Sequence, residues 1–286
     1  MVGEVIGRDP GPLSTAASGS HLVFIGADVV TKVIDTGRHS RLVREIALAP
    51  HLPAGLTAPL LASGIQELAT REVRFACYDR VPGTPPGMGL PDVDEPTARR
   101  LVQQAVDRLL TLHGWEPADA ARAVLLDVDD DGGFTGRDTL VARIEKLKAH
   151  ELPRPVLDGL AAIAERAPEH SPRTTPLHAD CHWSNWLAHN GDITALLDFE
   201  WARLGDPLDD WFFLIRFSGP HLTLALTTVS QATGIPADDL RTHCETREAA
   251  YLTADVLTAL ENSGPQAAAG RIQDLETLTV QRLWHT

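Results

Sequence analysis

The chain has a dense group of polar residues in LHADCHWSNWLAHNGDITALLDFEWARLGDPLDDW, residues 177–211. Asn185 stands five positions after Asp180, and an apolar run ends at Asp198. Phosphoryl transfer needs a carboxylate that accepts the proton of the attacking hydroxyl and hard oxygen ligands for Mg²⁺. The spacing therefore favours Asp180 as the catalytic base, with Asn185 and Asp198 as metal ligands.

The apolar run 193–197 is short and partly β-branched, which predicts a buried strand that brings Asp198 to the site. The partner strand is expected to begin at Trp186, and the segment 190–192, Asn-Gly-Asp, predicts the hairpin turn between the two strands. Asp and Asn are also common turn formers, so each residue alone would fit a structural role. Only their joint spacing indicates a site.

The segment resembles the motif of the aminoglycoside phosphotransferase family, HGDxxxxN followed by a strand with [IV]DxE and then GDPxxDL. The matching residues are His178, Asp180, Asn185, Asp198, Glu200, Gly205, Asp206, Pro207 and Asp210. On this resemblance the chain is identified as a member of the aminoglycoside phosphotransferase and choline kinase-like family of small-molecule kinases. The resemblance implies an α+β, protein-kinase-like fold of two lobes, with a small β-rich N-lobe and a larger, mostly helical C-lobe. It implies the same roles for Asp180, Asn185 and Asp198.

The sequence departs from this motif at two places. Ala179 stands where the family has Gly, and Ala would resist an unusual φ if the backbone requires one there. Trp183 and Ser184 replace Pro-Gly, and we expect Trp183 to lie near the mouth of the site, where it could shape substrate choice. His178 and Asp210 are expected to support the site through hydrogen bonds rather than to touch substrate.

The N-terminal part is predicted to be rich in strands, at 21–25, 29–35, 60–63 and 73–80. The turn that contains Ser18, Gly19 and Ser20 could bring backbone N–H groups close to phosphates, as the nucleotide-covering loop of kinases does. It lacks a GxGxxG pattern, and most such turns bind nothing.

Lys32 is flanked by apolar residues on a predicted inner strand, where burial would be costly without an anionic partner. By resemblance it contacts the α- and β-phosphates, and its expected partner is Glu45 in the amphipathic helical stretch 40–52. The alternative is a lysine on an edge strand that faces solvent.

Residues 79–81 resemble the hinge between the family's lobes, where backbone groups from Asp79 to Val81 would bind the adenine edge. Recognition by the backbone leaves little side-chain signature, so ATP and GTP both remain possible. We predict an N-terminal nucleotide-binding lobe over 1–82, a Gly/Pro-rich linker over 83–91 and a C-terminal catalytic and substrate-binding lobe over 92–286.

An acidic loop over 127–138 has three possible interpretations. Asp127, Asp129, Asp131 and Asp138, with Gly132 at position 6, fit the spacing of an EF-hand calcium loop, but position 12 is Asp rather than Glu and no second loop exists. Asp127 and Asp129 could instead form an acidic lip for a cationic substrate, or the loop could simply be solvated.

The net charge of −14 makes nucleic acid a poor partner, because a basic patch is missing. An acidic cleft would attract a small cationic substrate, although acidity also serves solubility. Glu200 and Asp209 are the carboxylates that we expect to line the cleft. The sequence contains no apolar run of 18 residues and no signal-peptide pattern, and its three cysteines form no metal-like pattern, so we expect a cytoplasmic protein without membrane segments.

The expected function is transfer of the γ-phosphoryl group of ATP or GTP, with Mg²⁺, to a hydroxyl of a small cationic antibiotic. Aminoglycosides and tuberactinomycin-type cyclic peptides such as viomycin and capreomycin both fit, and phosphorylation would confer resistance. A metabolic kinase acting on choline, homoserine, a sugar or a fructosamine would share these motifs. A relative that only binds nucleotide or drug is a third possibility, and a monomer and a dimer are equally compatible with the sequence.

Overall fold

A computed structural model describes residues 2–16, 20–68, 70–127 and 132–285. The helices and strands in these ranges are, in chain order, α1 (Val2–Ile6), β1 (Ser14–Ala16), β2 (Leu22–Ile25), β3 (Val29–Asp35), α2 (Arg41–Leu48), β4 (Leu60–Leu68), β5 (Arg71–Asp79), α3 (Glu95–His113), α4 (Asp119–Leu126), α5 (Arg137–Leu147), α6 (Arg154–Arg166), β6 (Thr175–Leu177), β7 (Trp186–His189), β8 (Asp192–Leu196), β9 (Arg203–Gly205), α7 (Leu208–Arg216), α8 (Leu222–Thr233), α9 (Ala237–Ser263) and α10 (Pro265–Thr279). Single 3-10 turns lie at Ala49–His51, Trp183–Asn185, Phe199–Trp201, Gly219–His221 and Leu283–His285.

The N-terminal strands form an antiparallel five-stranded sheet in the order β1-β2-β3-β5-β4. Lys32 lies on β3, opposite Val23 of β2 and Ala76 of β5. Because β3 has a partner on both sides, the alternative of an edge-strand lysine is wrong. Ile34 lies on the same face of β3 as Lys32, since side chains alternate along a strand, and it packs with Leu42 of α2. This face of the sheet therefore points Lys32 toward α2.

β7 and β8 form the predicted hairpin. Asn190 and Gly191 both have positive φ, 53° and 81°, as a type I′ turn requires. Beyond the end of β8, the Leu197 amide donates to the Asn185 carbonyl over 2.7 Å. This bond fixes the segment that carries Asn185 next to the segment that leads into Asp198.

Several elements differ from the sequence prediction. β4 and β5 are longer than the predicted strands because they continue as a paired ladder through polar residues such as Gln66 and Glu67. The short helices α1 and α4 were not predicted. No helix in the described ranges is long and apolar enough to cross a membrane.

The chain divides into two compact units, residues 1–128 with 178–203 and residues 129–177 with 204–286. The first unit contains the five-stranded sheet, α1 to α4 and the hairpin of β7 and β8. The second unit is built mainly from α5 to α10. The lobe limits 1–82, 83–91 and 92–286 stay a prediction.

Candidate functional site

Lys32 is at the centre of an ion cluster in the first unit. Its Nζ lies 2.7 Å and 3.1 Å from the two carboxylate oxygens of Glu45, the predicted partner, and 3.0 Å from Oδ1 of Asp198. Burial alone would lower the pKa of Lys32, but the carboxylates of Glu45 and Asp198 outweigh it and raise the pKa. Burial likewise opposes ionisation of Asp198, yet Lys32 holds its pKa below the usual value. At neutral pH the cluster therefore contains a lysine cation and an ionised Asp198.

Asp198 is presented by a sharp bend after β8. Its backbone is left-handed, with φ 71° and ψ 58°, and it opens the 3-10 turn Phe199–Trp201. Asp is one of the residues that tolerate this conformation. The side chain of Asp198 is 34% exposed, whereas that of Glu45 is 7% exposed. Asp198 is thus the member of the pair that a ligand can reach.

Asp180 and Asn185 are held together by the loop that precedes β7. Asn185 Nδ2 donates to the backbone carbonyl of Asp180 over 2.8 Å and to its Oδ2 over 3.1 Å. An amide that donates through Nδ2 keeps Oδ1 as an acceptor or cation ligand. The Asp180 side chain is 25% exposed, so a hydroxyl can approach it. His182 Nε2 lies 3.5 Å from Asp180 Oδ1, and burial lowers the pKa of His182, which favours a neutral neighbour for the carboxylate.

His178 supports the loop that carries Asp180 and Asn185. It is fully buried, and its Nδ1 accepts from the Asp180 amide over 3.2 Å. Since Nδ1 accepts, Nε2 carries the proton and donates to the Leu197 carbonyl over 2.8 Å. The imidazole therefore links the loop of Asp180 to the end of the hairpin, which is the supporting role expected from the sequence.

Ala179 has the unusual backbone conformation that its substitution for Gly called into question. Its φ is 63°, in the left-handed region, and the residue is buried. A residue with a Cβ pays about 1–2 kcal/mol in this conformation. The loop keeps its geometry with Ala179, at a cost in stability that Gly would not have.

Glu200 points into the interior rather than into an open cleft. It is 3% exposed, and its Oε1 lies 2.9 Å from Nε2 of His21. The Glu200 backbone carbonyl accepts from Arg44 Nη1 over 3.0 Å. The contact between His21 and Glu200 was not predicted, since His21 looked like an ordinary residue at the start of a strand. Glu45, Asp198 and Glu200 offer carboxylate oxygens within 4.8 Å of one another, and such oxygens are the ligands that Mg²⁺ prefers.

The structure changes the interpretation of two proposed substrate contacts. The prediction for Trp183 is wrong, because its side chain is fully buried against Trp186, with ring centroids 6.2 Å apart.

In the second unit, Asp209 is 3% exposed and accepts from Nε of Arg247 over 2.8 Å. Arg247 is itself fully buried and also donates from Nη2 to Asp206 over 2.7 Å. Asp209 therefore neutralises a buried arginine, which favours a structural role.

The remaining predicted residues are placed as follows. Asp210 is fully buried, in keeping with a supporting role. Asp127 is exposed, and its backbone carbonyl accepts from Arg44. The predictions for Ser18, Gly19 and Asp129 fall outside the described residues, and with them most of the test of the calcium loop.

In the predicted hinge, one backbone amide already donates a hydrogen bond within the chain. The Asp79 amide donates to the Pro59 carbonyl over 2.8 Å. The backbone of Val81 has no hydrogen-bond partner within the described ranges. Of the two, Val81 is the residue whose backbone remains available to the edge of a base.

Comparison with known proteins agrees with this geometry. Residues 18–243 match the phosphotransferase enzyme family, APH. Among solved structures, the GDP and kanamycin complex of APH(2")-IIIa is 16% identical with a TM-score of 0.75, covering 96% of this chain and 94% of that chain. The macrolide 2'-phosphotransferase MphH from Brachybacterium faecium is 22% identical with a TM-score of 0.62, and the match covers 95% of this chain and 93% of that chain. APH(4)-Ia with AMP-PNP and hygromycin B is 19% identical with a TM-score of 0.60, and the match covers 95% of this chain and 94% of that chain. No protein with a curated function is significantly similar in sequence.

The structural likenesses confirm the predicted α+β, protein-kinase-like fold. The family match extends over more than three quarters of the sequence and includes the ion cluster as well as the segment of Asp180 and Asn185. This chain therefore belongs to the phosphotransferase enzyme family.

Proposed function

We propose that the protein transfers the γ-phosphoryl group of ATP or GTP to a hydroxyl of a small cationic antibiotic and thereby confers resistance. The observation that supports this most directly is the Lys32 cluster, in which one ammonium contacts both Glu45 and Asp198. A cation fixed by a helix carboxylate and placed beside a reachable carboxylate is the arrangement that phosphate binding with a metal ion needs.

Each residue of the site has a distinct role in this proposal. Lys32, held by Glu45, binds the phosphates. Asp198 and Asn185 would hold Mg²⁺, which when bound neutralises charge on the phosphates. Asp180 accepts the proton of the acceptor hydroxyl, and its hydrogen bond from Asn185 fixes the orientation of its carboxylate.

The N-terminal loop and the hinge are proposed to complete the nucleotide site. Ser18, Gly19 and Ser20 would cover the phosphates, and the backbone from Asp79 to Val81 would bind the base. Both a monomer and a dimer are compatible with this site. Because the reaction consumes a nucleoside triphosphate, we place the protein in the cytoplasm.

Charge argues for a cationic acceptor. The chain has a net charge of −14, which would concentrate cations near the protein. Solved structures with the same fold include complexes with kanamycin and hygromycin B and a macrolide 2'-phosphotransferase. Aminoglycosides, tuberactinomycin peptides and macrolides are thus the antibiotic classes to test first.

The experiment is ADP or GDP release with Mg·ATP and Mg·GTP across those three classes, with choline, homoserine, a sugar and a fructosamine as metabolite controls. Asp180→Asn is the matched blank, since it keeps the size of the side chain and removes the base. We expect turnover on one antibiotic class, lost by at least about 100-fold in Asp180→Asn. Activity only on a metabolite would refute the resistance function, and wild-type turnover in Asp180→Asn would refute the role of Asp180.

A further inference from the structure

A second group of side chains in the first unit has no role in the proposed reaction except through Glu200. His21, His39 and Glu200 each offer one ligand atom, and these three atoms lie within 4.8 Å of one another. The two imidazoles meet edge to face, with ring centroids 5.4 Å apart and an angle of 83° between their planes. They come from the end of the N-terminal loop, from the turn before α2 and from the 3-10 turn after Asp198, so three separate segments converge on one point.

The donor atoms are oriented as metal ligands usually are. Ser20 Oγ lies 2.8 Å from Nδ1 of His21, which directs Nε2 toward Glu200. Ligating histidines commonly bind a polar group through the other ring nitrogen in this way. When Nδ1 donates to Ser20, Nε2 keeps a lone pair for a cation beside the Glu200 oxygen 2.9 Å away; when Nδ1 accepts, Nε2–H faces that oxygen instead.

His39 provides an independent observation. Both of its ring nitrogens are buried and have no hydrogen-bond partner within the described ranges. Leaving a buried polar atom unpaired costs about 1–3 kcal/mol. A metal ion at the centre of the group would use one of these nitrogens.

We propose that His21, His39 and Glu200 form a binding site for a transition-metal ion of the Zn²⁺ type, separate from the Mg²⁺ that phosphoryl transfer requires. Two imidazoles and one carboxylate are a donor set known for Zn²⁺, with a fourth position left to water. Zn²⁺ bonds of about 2.0–2.2 Å require neighbouring donors about 3.4 Å apart. The more distant donors would therefore have to approach by up to about 1.4 Å, and the His21 and Glu200 atoms, now 2.9 Å apart, would have to separate by about 0.5 Å. Imidazole selects Zn²⁺, Co²⁺ or Ni²⁺ over Mg²⁺, which prefers oxygen ligands in an octahedron.

The test is titration of the metal-stripped full chain with Zn²⁺ by calorimetry, and with Co²⁺ by visible absorption, in the presence of excess Mg²⁺ and without nucleotide. We expect one equivalent of Zn²⁺ to bind, and Co²⁺ to give the intense bands of a four-coordinate site with nitrogen ligands. His39→Asn and His21→Asn should each weaken binding by at least about 100-fold, and Ser20→Ala by about 10-fold through loss of the supporting contact. His51→Asn is the matched control, because His51 is exposed and lies outside the group.

Circular dichroism of each variant distinguishes loss of a metal ligand from loss of the fold. His39→Asn is the decisive variant, because His39 is only partly buried and its replacement should leave the fold intact. Zn²⁺ binding that survives in His39→Asn would overturn the proposal, as would a Co²⁺ spectrum typical of six oxygen ligands. Failure to bind Zn²⁺ more tightly than about 100 μM would mean that His21 and Glu200 form only an ion pair. None of these measurements involves phosphoryl transfer, so they stand or fall independently of the proposed function.

Discussion

Replacing Lys32 by Met should destabilise the protein in a pH-dependent way. The change removes the only ammonium in contact with the Glu45 carboxylate among the described residues, and it removes a 3.0 Å partner of Asp198. Breaking a buried ion pair from one side costs about 3–5 kcal/mol, because a charge is left without compensation. Glu45, 7% exposed in its side chain, should account for most of this loss, and the more exposed Asp198 for less.

The sign of the pH dependence follows from the carboxylate that remains. Burial already raises the pKa of Glu45 in the folded wild type, against the opposing effect of Lys32, and removal of Lys32 should raise it further. A carboxyl group with a raised folded pKa costs stability as the pH rises above the unfolded pKa, at up to about 1.4 kcal/mol per pH unit. The difference in free energy of unfolding between wild type and Lys32→Met should therefore be about 4 kcal/mol at pH 8 and clearly smaller at pH 5.

Urea denaturation at pH 5, 6.5 and 8, followed by far-UV circular dichroism, measures these differences. The double variant Lys32→Met/Glu45→Gln supplies the control, since it removes the stranded charge and should recover about half of the loss at pH 8. A loss below about 1 kcal/mol, or one that is the same at pH 5 and pH 8, would refute the assignment of Lys32 and Glu45 as a buried pair.

Three further predictions concern the remaining strained or buried groups. Ala179→Gly should change the free energy of unfolding by less than about 1 kcal/mol, because relief of the left-handed backbone offsets the lost methyl group. Ala179→Val should instead cost more than about 2 kcal/mol, and equal effects of the two variants in urea denaturation would contradict this. Arg247→Met should cost about 3–5 kcal/mol, because it removes the guanidinium that compensates the two buried carboxylates. Arg247→Lys should restore only part of this loss because lysine lacks the guanidinium fork, and full rescue by lysine would speak against the two-carboxylate contact. Burial lowers the pKa of His39, His182 and His243. As the pH drops below about 6.5, the unfolded chain therefore takes up protons before the folded chain, and the stability of the fold should fall. A melting temperature that stays constant between pH 7.5 and 5.5 would contradict this prediction.

The parts of the site that could be predicted from sequence follow from local rules. An inner-strand lysine needs an anion, and the resemblance to the phosphotransferase family identified Glu45 in the following amphipathic helix as that anion. The short, apolar and partly β-branched run of β8 placed Asp198 directly after a buried strand, and Asn190-Gly191 marked the hairpin turn. For the strand and the turn, a short segment contained the whole signal.

The predictions that failed and the contact that was missed depended on tertiary packing, which local spacing does not reveal. Asp209 looked like a cleft carboxylate because Arg247, 38 residues later, sits on a helix whose charged residues resemble a solvated face. The contact of His21 with Glu200 joins residues 179 positions apart, and no spacing rule connects them. Trp183 could have faced either the ligand or the core, and only the packing against Trp186 distinguishes the two.

The charge of the Lys32 cluster offers a physical reason for metal binding. Three carboxylates, those of Glu45, Asp198 and Glu200, lie within 4.8 Å of one another, while Lys32 contributes one positive charge. Three acidic side chains against one ammonium leave an excess of carboxyl groups in a mostly buried volume, and ionising all of them is unfavourable without a further cation. A divalent cation on the exposed side, at Asp198, matches that deficit in both charge and ligand type. Under the proposed function, a bound divalent cation would compensate the acidic groups that Lys32 leaves over, and this supports a phosphotransferase rather than a protein that merely uses Lys32 to stabilise its fold.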